Sequence, residues 1–143
     1  MGVSPNEGTD TEYIAENIKE KYPELIDFLQ TLPAYIEMDN YLFVHAGINP
    51  ELLHWSYTNE SEMLWIREEF YRVSNNTGKI IVFGHTPTYL LRNNGDASIW
   101  KSGDGYIGID GGIGNEKQLN ALNINMHNEV KMYYIKSTKF DSK

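Results

Sequence analysis

Cysteine is absent from this chain of 143 residues, which excludes disulfide bridges, thiolate metal ligands and a cysteine nucleophile. Any metal ion must therefore be held by histidine, aspartate, glutamate or asparagine side chains. Basic residues are scarce as well, because 12 Lys and Arg stand against 20 Asp and Glu and give a formal net charge of −8. Binding to a nucleic-acid backbone needs a basic stripe, so the composition predicts no nucleic-acid partner.

Long apolar runs are also missing. No run approaches the roughly 18 residues that a membrane span requires, and the polar segment 1–10 does not resemble a signal peptide. These features predict a cytoplasmic protein with no membrane partner. What the sequence does have is an apolar fraction of 41% and an aromatic fraction of 13%, which favours a folded globular chain over disorder.

The apolar pattern predicts one α/β (α+β) domain over residues 1–143, with a mixed β-sheet flanked by helices. Apolar residues spaced by four predict a first helix, and Pro23 starts a second one. We therefore expect a helical segment at 1–33, followed by the sheet and a connecting helix at 34–143.

Alternating and β-branched runs predict the strands, and Asn59 with Glu62 predicts the start of the connecting helix. That helix is expected to run to Val73 and to carry Trp65 and Arg67. The final hairpin is expected to cover one edge of the sheet. The predicted strand segments are 34–38, 41–44, 79–83, 106–109, 119–124 and 130–135.

Three predicted strands end in the same way, with an apolar run, one polar residue and then small or turn-forming residues. The polar residues are His45, His85 and Asp110. Because ligands gather beyond the C-terminal ends of strands in layered α/β proteins, these side chains are expected to converge. Neutral imidazole and carboxylate suit Zn, Mn or Fe.

Each of these residues also has a structural interpretation. A histidine after a buried strand can be a hydrogen-bonded packing residue, and Arg67 can be a solvated helix arginine paired with Glu68 or Glu69. Asp110 either orients a ligand histidine from behind or caps the glycine turn that follows it, and the structural role is slightly favoured. His54 and His127 are expected to be surface or packing residues.

Three segments in order resemble motifs of the phosphoprotein phosphatases, a calcineurin-like metallophosphoesterase family, and especially its bacterial and phage-type serine/threonine members. The segments are Phe-Val-His-Ala-Gly at 43–47, Leu-Trp-Ile-Arg at 64–67 and Phe-Gly-His-Thr-Pro at 83–87. The resemblance covers about residues 32–135. It implies that the chain is the C-terminal half of a metallophosphoesterase sandwich.

The resemblance also implies roles for single residues. His45 and His85 would be ligands of a site for two divalent metal ions (Mn, Fe or Zn), and Arg67 would contact the phosphate oxygens. Two metal ions can hold a bridging hydroxide for in-line attack on phosphorus, and a guanidinium can grip two phosphate oxygens. The implied reaction is hydrolysis of phosphoserine or phosphothreonine, and the implied substrate is a phosphorylated protein or a small phosphoester.

The family's first three segments are absent from this sequence: Gly-Asp-x-His-Gly, Gly-Asp-x-x-Asp-Arg-Gly and Gly-Asn-His-Glu. They supply most of the metal ligands, so we expect the chain alone to be inactive and to bind no metal. A missing N-terminal half or self-association is the expected partner, because apolar strand faces such as Ile80–Phe83 would otherwise be exposed. Two alternatives stay open: a diadenosine tetraphosphatase-type hydrolase, and a non-catalytic binding or assembly module.

Overall fold

The computed structural model describes residues 11–137 and divides them into two compact units, 11–33 and 34–137. The first unit consists of two helices, α1 (Thr11–Lys21) and α2 (Pro23–Gln30). Pro23 stands in the first turn of α2, where a missing N–H costs nothing and its fixed φ suits the start of a helix. The predicted break between two helices at this proline is confirmed.

The second unit is built on a five-stranded mixed sheet, which confirms the mixed α/β class predicted from the sequence. Its strands lie in the order β1-β2-β3-β5-β4. The central three are parallel to one another, and β1 and β4 are antiparallel edge strands. The bounds are β1 (Tyr35–Met38), β2 (Tyr41–Val44), β3 (Ile80–Phe83), β4 (Trp100–Lys101) and β5 (Tyr106–Gly108).

Both faces of the central strand β3 are buried, as its uninterrupted apolar run predicts. Ile81, Val82 and Phe83 are 0%, 3% and 1% exposed. Because side chains alternate along a strand, Ile81 and Phe83 belong to one core cluster and Val82 to the cluster on the opposite face. The expectation that these strand faces would be exposed is therefore wrong.

The connecting segment is two short helices, not the single helix predicted to reach Val73. They are α3 (Glu60–Trp65) and α4 (Glu68–Tyr71), and the capping box predicted from Asn59 and Glu62 opens the first. In a continuous helix the Met63 carbonyl would accept the Arg67 N–H. It accepts the N–H of Ala46 at 2.8 Å instead. The loop after β2 therefore occupies the carbonyl that would continue the helix.

A final hairpin, β6 (Gln118–Ile124) and β7 (Val130–Lys136), forms a separate two-stranded sheet. Leu122 and Ile124 pack against the core cluster that contains Val82. The hairpin therefore covers a face of the large sheet, and the predicted position at an edge is wrong. β4 was not predicted from the sequence, because a strand of two residues is too short to show an alternation of apolar and polar residues.

Apolar side chains do lie exposed, but on β1 and β7 instead of β3. The exposed residues of these two strands are Tyr35, Ile36 and Met38 on β1, with Met132, Tyr133, Tyr134 and Ile135 on β7, and Leu119 on β6 is exposed as well. Within residues 11–137, no helix combines the length and apolar character that crossing a membrane requires. The cytoplasmic location stays a prediction from the sequence.

Candidate functional site

The ends of β2 and β3 bring His45 and His85 together. The two strands are parallel and in register up to Val44 and Phe83, and the Gly84 N–H donates to the His45 carbonyl at 2.8 Å just beyond them. As a result His45 Nε2 lies 3.3 Å from His85 Nδ1, and the ring centroids are 5.0 Å apart. The predicted convergence of the two imidazoles is confirmed, while their role as metal ligands stays a prediction.

Arg67 lies beside His85 because the helix is interrupted at this point. Its backbone leaves the helical region (φ −132°, ψ −109°). The side chain reaches the loop after β3, where Nη1 donates to the His85 carbonyl and to the Thr86 hydroxyl, both at 3.4 Å. These are long hydrogen bonds, and Arg67 is exposed. Both come from Nη1, and the guanidinium makes no other hydrogen bond within residues 11–137, so its remaining N–H donors can bind an anion.

Trp65 borders the same site, although the sequence analysis gave it no functional role. Its ring meets the His85 ring edge to face, with centroids 5.7 Å apart and an interplanar angle of 88°. The side chain is nevertheless 69% exposed. The sequence signal that could have pointed to Trp65 is its position two residues before Arg67. The helix α3 ends at Trp65, so Arg67 lies outside it.

The surroundings of His85 lower the pKa of its imidazole. The largest cause is burial, and the positive charges of Arg67 and His45 act in the same direction. The Asp110 carboxylate and the Trp65 backbone oppose the shift. His85 Nε2 is the one buried side-chain nitrogen or oxygen among the described residues that lacks a hydrogen-bond partner. The site therefore favours neutral imidazole, the form that binds metals.

Asp110 lies two residues beyond the end of β5, the strand beside β3, and is engaged in its own turn. Its Oδ1 accepts the N–H of Gly112 at 2.8 Å, and its backbone carbonyl accepts the N–H of Thr88 at 2.7 Å. Within residues 11–137 it makes no hydrogen bond to either histidine of the pair. This geometry supports the turn-capping interpretation, and support of a ligand histidine stays a prediction.

A buried polar bridge behind the site went unnoticed in the sequence. The Thr88 hydroxyl and the Asn120 amide both donate to the Ala97 carbonyl, each at 2.9 Å. Gln118 Nε2 in turn donates to Asn120 Oδ1 at 2.6 Å. The alternation of polar Asn120 with apolar neighbours on β6 was a possible signal, but it reads equally well as a solvent-facing position.

The imidazole pair has a spacing suited to one metal ion. Two nitrogens bound to a tetrahedral ion at 2.0–2.1 Å lie about 3.3 Å apart, and the observed separation is 3.3 Å. The donor set is incomplete, however, because residues 11–137 contain no group of three or more His, Asp or Glu side chains placed to hold a metal. His54 bonds to Ser56 and lies beside Trp55, and His127 stands in the turn between β6 and β7.

A cavity of about 480 Å³ opens beside Arg67 and Trp65, within the size range of small-molecule sites. Pro50 and Ile66 contribute apolar surface to its wall, and Glu62 a carboxylate. Glu62 is fixed in place by Asn49 and Asn59, which donate to its two oxygens at 2.5 and 2.8 Å. The loop after β2 thus forms a cleft next to the histidine pair. Trp55 takes no part, since it is buried in the core.

Comparison with known proteins leaves the family unassigned. No family model matches the sequence, no curated protein matches it, and no solved structure matches the fold. The phosphoprotein phosphatase resemblance therefore rests on the motifs at 43–47, 64–67 and 83–87, and it stays a prediction.

Proposed function

We propose that this chain supplies the histidine-bearing half of a metal-dependent phosphoester hydrolase of the phosphoprotein phosphatase type. The observation that carries the proposal is the grouping of three side chains from three separate motifs. His45 Nε2 and His85 Nδ1 are 3.3 Å apart, and the Arg67 guanidinium reaches the carbonyl of His85 itself. A partial calcineurin-like sandwich is the fold that the proposal implies.

In this proposal the two imidazoles hold a divalent metal ion, with Mn, Fe or Zn as candidates. The 3.3 Å separation and the lowered pKa of His85 support this role, because a ligand imidazole must be neutral. When bound, such an ion stabilises negative charge on the phosphate and makes water a better nucleophile near neutral pH. The Trp65 ring lies edge to face against the His85 ring, at one side of the pair.

Arg67 is the phosphate-binding residue in this proposal. Its two contacts to the loop after β3 orient the guanidinium next to the histidine pair. The fork can then donate two parallel hydrogen bonds to phosphate oxygens and offset the charge that builds up during transfer. The proposed substrate class is phosphoserine or phosphothreonine in proteins, with the cleft lined by Trp65 and Pro50 receiving neighbouring parts of the substrate.

The remaining metal ligands would come from a second polypeptide segment. The described residues offer two nitrogen donors and no third ligand, whereas a hydrolytic metal site of this kind has at least three protein ligands. We propose that a partner carrying the three missing family segments completes the site. By itself the chain is expected to bind no divalent metal and to turn over no phosphate ester.

The test is reconstitution. The chain is mixed with a polypeptide that carries the three missing segments, and two quantities are measured: Mn²⁺ or Zn²⁺ binding by calorimetry, and turnover of an aryl phosphate. We expect the mixture to bind metal and hydrolyse the ester, and His45→Ala or His85→Ala to abolish both. Arg67→Ala should lower kcat by about 10²–10³-fold, as loss of a charge-stabilising donor does.

Matched controls exist within the chain. His54→Ala and His127→Ala remove imidazoles that lie outside the pair, and Arg72→Ala removes an arginine that pairs with Glu68 on the surface. These three variants should keep wild-type rates. Unchanged turnover in both His45→Ala and His85→Ala would refute the proposal.

A non-catalytic module is the second candidate, and the two-donor site is the observation that favours it. Such a module would keep the fold and bind no metal even with the missing segments supplied. The substrate class needs its own test. If the reconstituted protein does hydrolyse phosphate esters, its rate on a phosphoserine peptide should be compared with its rate on diadenosine tetraphosphate. Faster cleavage of the dinucleotide would replace the proposed substrate class with the polyphosphate one.

A further inference from the structure

The backbone at His85 is strained. Its φ of 62° lies in the left-handed region, which residues other than glycine rarely adopt. The Thr86 N–H donates to the Gly84 carbonyl at 2.6 Å, so His85 is the central residue of a three-residue γ-turn with positive φ. Turns of this kind are rare and strained, and they persist only where contacts on both sides hold them.

On the N-terminal side, the turn is tied to β2 by the hydrogen bond from Gly84 to the His45 carbonyl. On the C-terminal side the fixed point is Thr88, which is completely buried. Its N–H donates to Asp110 and its hydroxyl donates to Ala97. Two residues separate Thr88 from His85, and the ring of one of them, Pro87, fixes its own φ at −58°. The short segment between Thr88 and the turn therefore has little conformational freedom.

Asn120 on β6 strengthens this anchor from behind. Its amide donates to the same Ala97 carbonyl that accepts the Thr88 hydroxyl. Gln118 fixes the Asn120 side chain in turn. All four residues of this bridge are buried, where a hydrogen bond is stronger than in water and a broken one leaves an unpaired polar group at high cost.

We propose that Thr88 and Asn120 are positioning residues of the candidate site. Through the Ala97 carbonyl they anchor the segment that follows His85, and the anchored segment holds the γ-turn in which Nδ1 faces His45 Nε2. Without the anchor, His85 relaxes to negative φ and its ring turns away from His45. The inference rests on the proposed function for the chemical role of the imidazole pair. The effect of the anchor on the geometry of the pair does not depend on that role.

The test measures ring-to-ring contact in the full chain without added metal. Proton NMR of the wild type should show a nuclear Overhauser cross-peak between the rings of His45 and His85. Thr88→Val removes the hydroxyl and keeps the branched shape of the side chain, and it should abolish the cross-peak. Thr88→Ser restores the donor and should restore the cross-peak.

A matched control separates positioning from general loosening. Ser98→Ala removes hydrogen bonds in the same loop, to Asp96 and Arg92, and leaves the Thr88–Ala97–Asn120 bridge intact. Both substitutions should lower the melting temperature, but Ser98→Ala should keep the cross-peak. A cross-peak that survives Thr88→Val, or one lost equally in Ser98→Ala, would overturn the proposal.

Asn120→Ala provides a second variant for the case in which Thr88→Val does not fold. It removes one of the two donors to Ala97 and should weaken the same cross-peak, whereas an unchanged cross-peak counts against the proposal. The readout needs neither metal nor turnover. Failure of the reconstituted phosphatase therefore leaves this result standing, and failure of this test leaves the metal-binding proposal standing.

Discussion

Gly47 lies against the ring of Phe70, so closely that a β-carbon at Gly47 would overlap the ring carbons. Phe70 cannot move aside, because it is fully buried and its ring packs edge to face against Phe83 and Tyr106 at 5.1 and 4.6 Å. The glycine that follows His45-Ala46 therefore lets the loop after β2 close over the core.

Gly47→Ala should destabilise the protein by about 1–3 kcal/mol, the usual cost of overpacking a well-filled core. The free energy of unfolding is measured by chemical denaturation. Gly103→Ala is the control, because its added β-carbon meets no atom within contact distance. Equal stability of the two variants would show that Phe70 yields to the new methyl group.

Comparison of two substitutions at His85 isolates the backbone strain. His85→Gly and His85→Ala both remove the imidazole, but only glycine adopts the φ of 62° without steric cost. We expect the glycine variant to be more stable than the alanine variant by about 1 kcal/mol. Differential scanning calorimetry or urea unfolding measures the difference.

Gly114 provides the reference for that comparison. It lies outside the left-handed region and has open space around it, so Gly114→Ala should leave stability unchanged or slightly raise it. If alanine is favoured over glycine at His85 as well, the turn is not strained. The γ-turn would then need no anchor.

Arg67→Gln should raise the pKa of His85 toward its ordinary value of 6.5, because the Arg67 charge is the second cause of the shift after burial. NMR titration of the His85 ring measures it. With a folded-state pKa below the unfolded one, the folded protein binds fewer protons. The stability tied to neutral His85 is therefore present above pH 6.5 and is lost as the pH falls through the folded-state pKa.

The acid-induced loss of stability should consequently be smaller in Arg67→Gln than in the wild type. Arg72→Gln serves as the control, since Arg72 pairs with Glu68 and is not among the causes of the His85 shift. A titration curve that stays the same in Arg67→Gln would mean that burial and His45, without Arg67, lower the pKa of His85.

Self-association through the exposed apolar residues of β1 or β7 is the outcome we expect when the completing partner is absent. Ile36→Lys and Ile135→Lys place a charge on β1 and β7, and each should raise the monomer fraction if its strand is the contact. Asn123→Lys, which adds the same charge at an exposed polar position of β6, should not. Analytical ultracentrifugation over a range of protein concentrations measures the fraction.

The fold was predictable where local pattern and tertiary environment agree. The run Ile80–Phe83 is apolar at every position and forms a strand buried on both faces, and Asn59 with Glu62 forms the predicted capping box. The prediction failed at Ile66, where the apolar periodicity continues but the helix stops. Apolar periodicity carries no information about the hydrogen bond in which the Met63 carbonyl accepts the N–H of Ala46, a residue distant in the sequence.

By itself, the sequence determined which residues could carry chemistry, because three runs that form parallel strands each end in a polar residue, and parallel strands end at the same edge of a sheet. Only the tertiary structure decided how those residues meet. The 3.3 Å approach of the two imidazoles and the positive φ of His85 depend on hydrogen bonds between segments far apart in the chain. The non-helical backbone of Arg67 also depends on such a bond, the one from Ala46 to the Met63 carbonyl. Local preference favours a regular backbone at His85 and Arg67, and the packed core supplies the contacts that override it.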